Sequence, residues 1–441
     1  MMENSIPRRT RYRWFWILLV VVHGALFAYD VHHPEATLQG DRAAQRQQRI
    51  VEFVELEPSE IPSYFLQHGL PGDYLPHAVL YRLFGRLGLI LVHVGLAFLS
   101  VVLVHRLAEH WTRRRAVADV TAAVFAFLPH SLAFPHLLMS EALFNPLLVL
   151  GTYLVVRGTD QERVANRFTW GGALVFGLAS LIRVIGAMVP ILLAPAVALG
   201  VTTWRRRMGF GAAFVLIGLA PVLSWISFVW SGTGHASLGQ SSFSLAYNLE
   251  VRVERMEART LERLQVPDGA ARGVAIGEYL EIVASNPGAY WKIVRSDLIN
   301  FWANPGVSKL LFNYLSLGGD LRGADRSLMG WRSVMDESGL WAAVRHVWAT
   351  APFVATVLLV SVGTWGLVLV LALAGAIRFA RGDGVSRPWR IGLVLMVMAF
   401  WLVNANISGI ARSGHRSPVE FLLATAFAVG VCTLFERSRR S

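Results

Sequence analysis

Long apolar runs separated by short, arginine-rich polar turns set the pattern of the chain. The runs cover Trp14–Ala28, Ala78–Val104, Ala118–Met139, Ala142–Val156, Trp170–Val184, Ala187–Thr203, Phe210–Trp230, Phe353–Ile377, Ile391–Val403 and Val419–Phe435. A helix needs about 20 apolar residues to cross the hydrocarbon of a bilayer, so these runs, extended into their flanks, predict about ten transmembrane helices. Trp170–Val184 and Ala187–Thr203 are short enough to fit one broken unit as well. The expected fold is all-α, a polytopic membrane helical bundle.

Two polar excursions interrupt the pattern. The first, Tyr29–Pro76, contains Ala43–Leu56, where Ile50, Phe53, Val54 and Leu56 recur at near-helical spacing. That spacing predicts an amphipathic juxtamembrane helix that leaves the bilayer and lies back on its surface. The second runs from Ser231 to about Thr350. Leu249–Leu264 reads as a charged amphipathic helix broken at Pro267–Gly269, and Val274–Ala284 and Pro287–Trp302 read as two further helices, the last opened by proline. The expected organisation is an amino-terminal transmembrane module (1–230) with its first loop (30–77), a helical external segment (231–350) and a carboxy-terminal transmembrane module (351–441).

Charge orients the spans. Arg8, Arg9, Arg11 and Arg13 precede the first run, which places the amino terminus in the cytoplasm. Alternation then puts the basic turns His105–Arg115, Arg157–Arg167, Arg205–Arg207, Arg378–Arg390 and Glu436–Arg440 on the same side. The expected location is the plasma (inner) membrane, with both termini cytoplasmic and the two excursions outside. The start of the chain is read as a retained signal anchor. Composition agrees: 54% of the 441 residues are hydrophobic and 16% charged, against roughly a quarter charged in a soluble domain. The formal charge of +12 sits at segment ends. It fits lipid headgroups, with no nucleic-acid partner expected. The single Cys432 excludes an intrachain disulfide.

Charges beside apolar spans require pairing or water, and four places on the external side collect them. The opening loop carries Asp30, His32, His33, Asp41 and Asp73, with His77 shortly after; Glu141 opens the fourth run; Arg183 closes the fifth; Arg412, His415 and Arg416 precede the last. A carboxylate at this boundary can accept a proton from an attacking hydroxyl. Arginine and histidine can hold a departing phosphate through charge-assisted hydrogen bonds. Plainer readings compete: Asp73 in LPGDYLP suits a Pro/Gly turn, Ser140 before Glu141 suits a helix cap, and Arg183 suits snorkelling to headgroups. His32 and His33 give only a weak metal signal. No dinucleotide fingerprint, P-loop or zincin motif is present.

LQGDRAAQ followed by HGLPGDYLPHAVLYRLFG resembles the first external loop and second span of the lipid-carrier-dependent GT-C membrane glycosyltransferases. The branch is that of the protein O-mannosyltransferases and the lipid A aminoarabinose transferase (glycosyltransferase family 39-like). MSEALFNPLLVLGTYLVVRG, GLASLIRVIGAMVPILLAP and SGHRSPVEFLLATAFAVG resemble that branch's acidic span start, glycine-to-arginine span and final basic-proline motif. One departure is that Arg42, rather than a second acid, follows Asp41.

The resemblance implies an enzyme that moves a sugar from a polyprenyl-phosphate donor to a glycan, lipid or protein acceptor outside the cytoplasmic leaflet, with inversion. It implies Asp41 and Glu141 as the catalytic acids, Arg183 as the span arginine and Arg412 and Arg416 as part of the carrier-phosphate region; with His415 beside them, these arginines are the candidate donor phosphate ligands. Asp73 and His77 are further site candidates. No obligatory cofactor is expected, and a divalent metal is allowed. Two alternatives stand beside this reading: a glycan polymerase or ligase using a pyrophosphate-linked donor, and a noncatalytic lipid or solute transporter. The absence of internal repeats argues against the transporter.

Overall fold

The structure is a computed structural model that describes residues 8–38, 41–68, 70–159, 165–201, 203–235, 240–257, 276–303, 306–307, 309–315, 338–350, 352–381, 394, 396–398, 400 and 413–438. These residues are helical and turn, with no strand among them. Among the described residues, six helices are long and apolar enough to span a membrane, and a seventh span arises if one bent helix pair is counted. The protein is an all-α, integral membrane helical bundle. The apolar run Ile391–Val403 falls largely outside the described residues, as does Arg412.

The chain divides into two compact units. The first comprises 1–239, 371–398 and 417–441. Its helices begin with α1 (Arg8–His32), α2 (Asp41–Glu55), α3 (Ile61–His68) and α4 (Pro71–Thr112). They continue with α5 (Arg115–Ala126), α6 (Pro129–Ala133), α7 (Glu141–Thr159), α8 (Arg167–Ile182), α9 (Met188–Ala198) and α10 (Trp204–Thr233). The second unit, 240–370 and 399–416, contains α11 (Gln240–Glu257), α12 (Ile276–Ser285), α13 (Pro287–Ala303) and α14 (Leu340–Thr350). Helix α15 (Pro352–Arg381) contributes residues to both, and α16 (Glu420–Ser438) returns to the first.

The amphipathic helix expected over Ala43–Leu56 is α2. Its Ile50 is fully buried, and Phe53, Val54 and Leu56 pack with it against Tyr64 and Phe65 of α3, Tyr74 and Ala78 of α4 and Trp225 of α10. The helices expected over Val274–Ala284 and Pro287–Trp302 are α12 and α13.

Two apolar runs are more broken than their hydrophobicity predicts. Ala118–Met139 is two helical pieces bent by 59°. Leu128, before Pro129, takes an extended conformation (φ −62°, ψ 141°), as the residue preceding a proline is driven to do. Helix α4 begins at Pro71, well before the apolar run, and breaks at Gly85 (φ 67°, ψ −174°), a conformation open essentially to glycine alone. Arg86, next in the chain, donates to the carbonyl of Asp30 (3.0 Å), the hydroxyl of Thr37 (3.1 Å) and the carbonyl of Pro34 (3.4 Å). The break in α4 is thereby fastened to the end of α1.

At one end of the first unit, Arg114 pairs with Glu436. The turn between α4 and α5 therefore lies beside the carboxyl end of the last helix.

Candidate active site

The first unit gathers acids and arginines where α2, α4, α7 and α8 meet. Gly72 fixes the approach of α4 to α8: a Cβ there would lie 2.7 Å from the carbonyl carbon of Leu181. Only a residue without a side chain allows this contact. It sets Asp73, on α4, beside the carboxyl end of α8, where Arg183 breaks the helix with an extended backbone (φ −143°, ψ 122°).

Arg183 Nη1 donates to Glu141 Oε1 at 2.6 Å. The Glu141 side chain is 8% exposed and that of Arg183 23%. The Ser140 hydroxyl lies 3.2 Å from Glu141 Oε2, so it donates to the acid's own carboxylate. The Arg183 guanidinium also lies over the Phe144 ring, 5.7 Å from its centroid. Glu141 and Arg183, assigned to the acid and phosphate roles from sequence, thus meet directly.

Asp73 has a partner that sequence reasoning missed. Arg46 of α2 donates to Asp73 Oδ2 from Nε (3.0 Å) and Nη2 (2.5 Å), and from Nη1 to the carbonyl of Leu138 (3.2 Å). Burial alone would weaken the hold of Arg46 on its proton. The charge and hydrogen bond of Asp73 outweigh it, with smaller help from Tyr74 and Glu141, and the net shift is upward. The influence of Glu141 on Arg46 ties the two ion pairs into one electrostatic neighbourhood. One signal for Arg46 was available: it stands four residues before Ile50 and seven before Phe53, on the buried stripe of an amphipathic helix.

Asp41 is the first residue of α2, and its side chain lies outside those described. At 1.5 Å rise per residue, its backbone stands roughly 7–8 Å along the helix axis from Arg46.

His77 is fully buried, its Nδ1 in contact with the Asp73 carbonyl, and its ring meets His93 edge to face at 5.1 Å. Asp30 is also fully buried, and its Oδ2 lies 2.6 Å from His136 Nδ1. His136 Nε2 in turn lies 3.0 Å from His23 Nδ1. His130 Nδ1 and Glu420 Oε1 are 2.8 Å apart, and both side chains are buried. Neither imidazole–carboxylate arrangement was read from the sequence. The histidines were visible as ionisable residues inside an apolar run, a signal in itself.

The basic run before the last span is less fully described. Arg412 lies outside the described residues, and His415 is described in its backbone alone, within the 3₁₀ segment Ser413–Val419. Arg416, in the second unit, is completely buried. It donates to the carbonyls of Phe301 and Trp302 (3.1 Å to the latter) and stacks over the Trp365 ring at 4.4 Å. His33 pairs with Glu35 at 3.4 Å on the surface. Among the described residues no group of three or more His, Cys, Asp or Glu side chains is placed to hold a metal ion.

Across 99% of its length the chain matches the crystal structure of the Archaeoglobus fulgidus oligosaccharyltransferase in the apo form, with a TM-score of 0.50 and 12% sequence identity. The likeness is one of fold. The chain spans about half of that protein's length, covering 52% of it. The crystal structure of ArnT from Cupriavidus metallidurans bound to undecaprenyl phosphate is also similar, with a TM-score of 0.41, 14% identity, and 97% of this chain and 78% of that one covered. No family model matches the chain, and no curated protein matches it.

Proposed function

We propose that the protein is a membrane glycosyltransferase that takes a sugar from a polyprenyl-phosphate donor and passes it, with inversion, to a hydroxyl acceptor on the external face. One observation carries the reading. Two carboxylate–guanidinium pairs, Asp73–Arg46 and Glu141–Arg183, share one electrostatic neighbourhood, and Arg46 belongs to an amphipathic helix that begins with an acid. A fold similar to that of an oligosaccharyltransferase supports the setting.

In this reading Asp41 orients or deprotonates the acceptor hydroxyl as it attacks the anomeric carbon. The bond from that carbon to the phosphate oxygen breaks, and its electron pair leaves with the phosphate. Arg183, partly exposed and holding Glu141 through Nη1, offers a guanidinium to the departing charge. Glu141 positions a sugar hydroxyl. Arg46 and Asp73 hold α2 in place. For Arg412 and His415 the proposed role is donor phosphate binding; for Arg416, completely buried and donating to the Phe301 and Trp302 carbonyls, these contacts favour a structural role instead. A monophosphate leaving group can be neutralised by arginines, so the reading does not require a divalent metal.

The test is Asp41→Asn in the full chain, reconstituted in lipid with a polyprenyl-phosphate sugar. Turnover should fall by about 10²–10⁴-fold, the usual worth of a general base, with expression and donor binding retained. Normal turnover would remove Asp41 from the mechanism.

A further inference from the structure

Next to Glu141, within the first unit, the helices leave a cavity of about 40 Å³. Its wall carries polar groups that the protein itself does not satisfy. His93 is 1% exposed, and among the described residues neither ring nitrogen completes a hydrogen bond, although the Pro135 carbonyl lies near. His130 uses Nδ1 on Glu420, and its Nε2 has no partner among the described residues. Asn145 donates from Nδ2 to Ser417 Oγ at 3.0 Å, and its Oδ1 is likewise unpartnered among the described residues.

Leaving buried polar atoms unsatisfied is unfavourable. A water needs about 10–15 Å³ of such space and two to four polar partners, so the cavity has room for roughly two or three waters. The orphaned nitrogens and oxygen are the partners they need.

The same wall includes Glu141, Glu420 and His23. His23 is the inner end of the chain that runs through His136 to Asp30. Water in the cavity would therefore touch an acid of the candidate active site and the ends of two buried imidazole–carboxylate systems at once. We propose that the cavity is a hydrated proton-transfer pocket, in which bound water links Glu141 to His130–Glu420 and to His23–His136–Asp30.

The proposal extends the glycosyl-transfer reading, in which an acceptor hydroxyl gives up a proton. A proton arriving at Glu141 moves onto a bridging water while that water passes one of its own to an unpartnered imidazole nitrogen. At each hop one O–H bond breaks and one O–H or N–H bond forms, with no change of oxidation state. The imidazolium produced at His130 sits 2.8 Å from the Glu420 carboxylate, which offsets its charge. Reversal of the same hops returns the proton.

The charged and titratable groups around the pocket come from every element packed there. His23 comes from α1, His93 from α4 with His77 against its ring, and His130 from α6. Glu141 on α7 is held by Arg183, and Glu420 on α16 completes the wall. Arg46 of α2 stands near enough to Glu141 to be influenced by its charge.

The experiment uses the full chain in lipid nanodiscs and has two parts, neither of which needs a sugar donor. Radiolytic hydroxyl labelling in ¹⁸O-water should mark the lining residues Phe98 and Phe134 above Phe176, which is fully buried on α8 and does not line the cavity. Ala97→Leu, which fills the cavity, should remove that excess. Equal labelling of all three phenylalanines, or labelling indifferent to Ala97→Leu, would overturn the proposal.

The second part is a downward pH jump that ends below the range of an ordinary imidazole, because burial disfavours a charged ring. The His93→Gln/His130→Gln double variant should take up fewer protons than the wild type. Glu141→Gln should slow the remaining uptake at least about tenfold, a barrier increase of about 1.4 kcal/mol. Unchanged uptake in number and rate would refute the pocket's role. Because no sugar is involved, a failure here is separate from a failure of Asp41→Asn to affect transfer.

Discussion

Arginine meets carboxylate in both units of this protein, in two different ways. In the second unit, Arg252 and Arg255, each 1% exposed, converge on Asp297, which is fully buried, at 2.9 and 3.2 Å. In the first, Glu141 and Arg183 pair one to one, and the arginine keeps 23% of its side-chain surface open. The chemistry of the groups is the same, so the difference lies in access. A sealed cluster takes its charges out of water and can serve only the fold. A pair with one partner at the surface can exchange part of its interaction for a phosphate. The presence of arginine beside an acid is therefore no guide to function until exposure is known.

The contrast breaks most visibly at Asp297. Replacing it with Ala leaves two buried guanidinium groups without that counter-charge, which typically costs 3–5 kcal/mol, or about that much of the stability of the unit. Thermal unfolding in detergent should show the loss directly. Catalytic turnover per folded molecule should be unaffected. If Asp297→Ala unfolds like the wild type, the cluster is not what holds α11 to α13.

Arg183 should behave the other way round. Arg183→Ala removes a charge-assisted contact worth about 1.5–3 kcal/mol to a bound phosphate, so the donor KM should rise roughly 10–150-fold. Stability should fall by less than in Asp297→Ala, because one buried carboxylate rather than two buried guanidinium groups loses a partner. Steady-state kinetics with varied donor, alongside the same unfolding assay, separates the two. A large stability loss with an unchanged KM would make Arg183 a second structural arginine and erase the distinction between the clusters.

Much of this arrangement was legible in the sequence, and the reasons for the rest are physical. The stripe Ile50, Phe53, Val54 and Leu56 predicted α2 because a helix that lies on a surface must repeat its apolar positions every three to four residues. Asp73, His77, Glu141 and Arg183 stood out because charge next to apolar runs needs a reason. Arg46 escaped because a basic residue on an amphipathic helix is ordinarily assigned to the solvent face. The breaks at Pro129 and Gly85 were hidden by hydrophobicity, which measures burial and is silent on backbone direction. The imidazole–carboxylate systems join residues 106 and 290 positions apart, and no local pattern encodes such a pairing.

The smallest expected effect, and the finest test of the open site, lies at Gly72. Its neighbour across the helix contact is backbone, the carbonyl carbon of Leu181 at 2.7 Å from a built Cβ, and so cannot swing aside as a side chain would. Gly72→Ala must therefore shift α4 against α8, an overpacking that typically costs about 1–3 kcal/mol. The same shift moves Asp73, and with it Arg46 and α2, relative to Glu141 and Arg183. Turnover should fall while the donor KM, set by Arg183, changes little, because the phosphate contact stays on α8's end and the acid on α2 is displaced. Kinetics that move KM alone would place the donor phosphate on the α2 and α4 side of the contact. Kinetics identical to the wild type would show that the spacing of the two ion pairs is not what the site depends on.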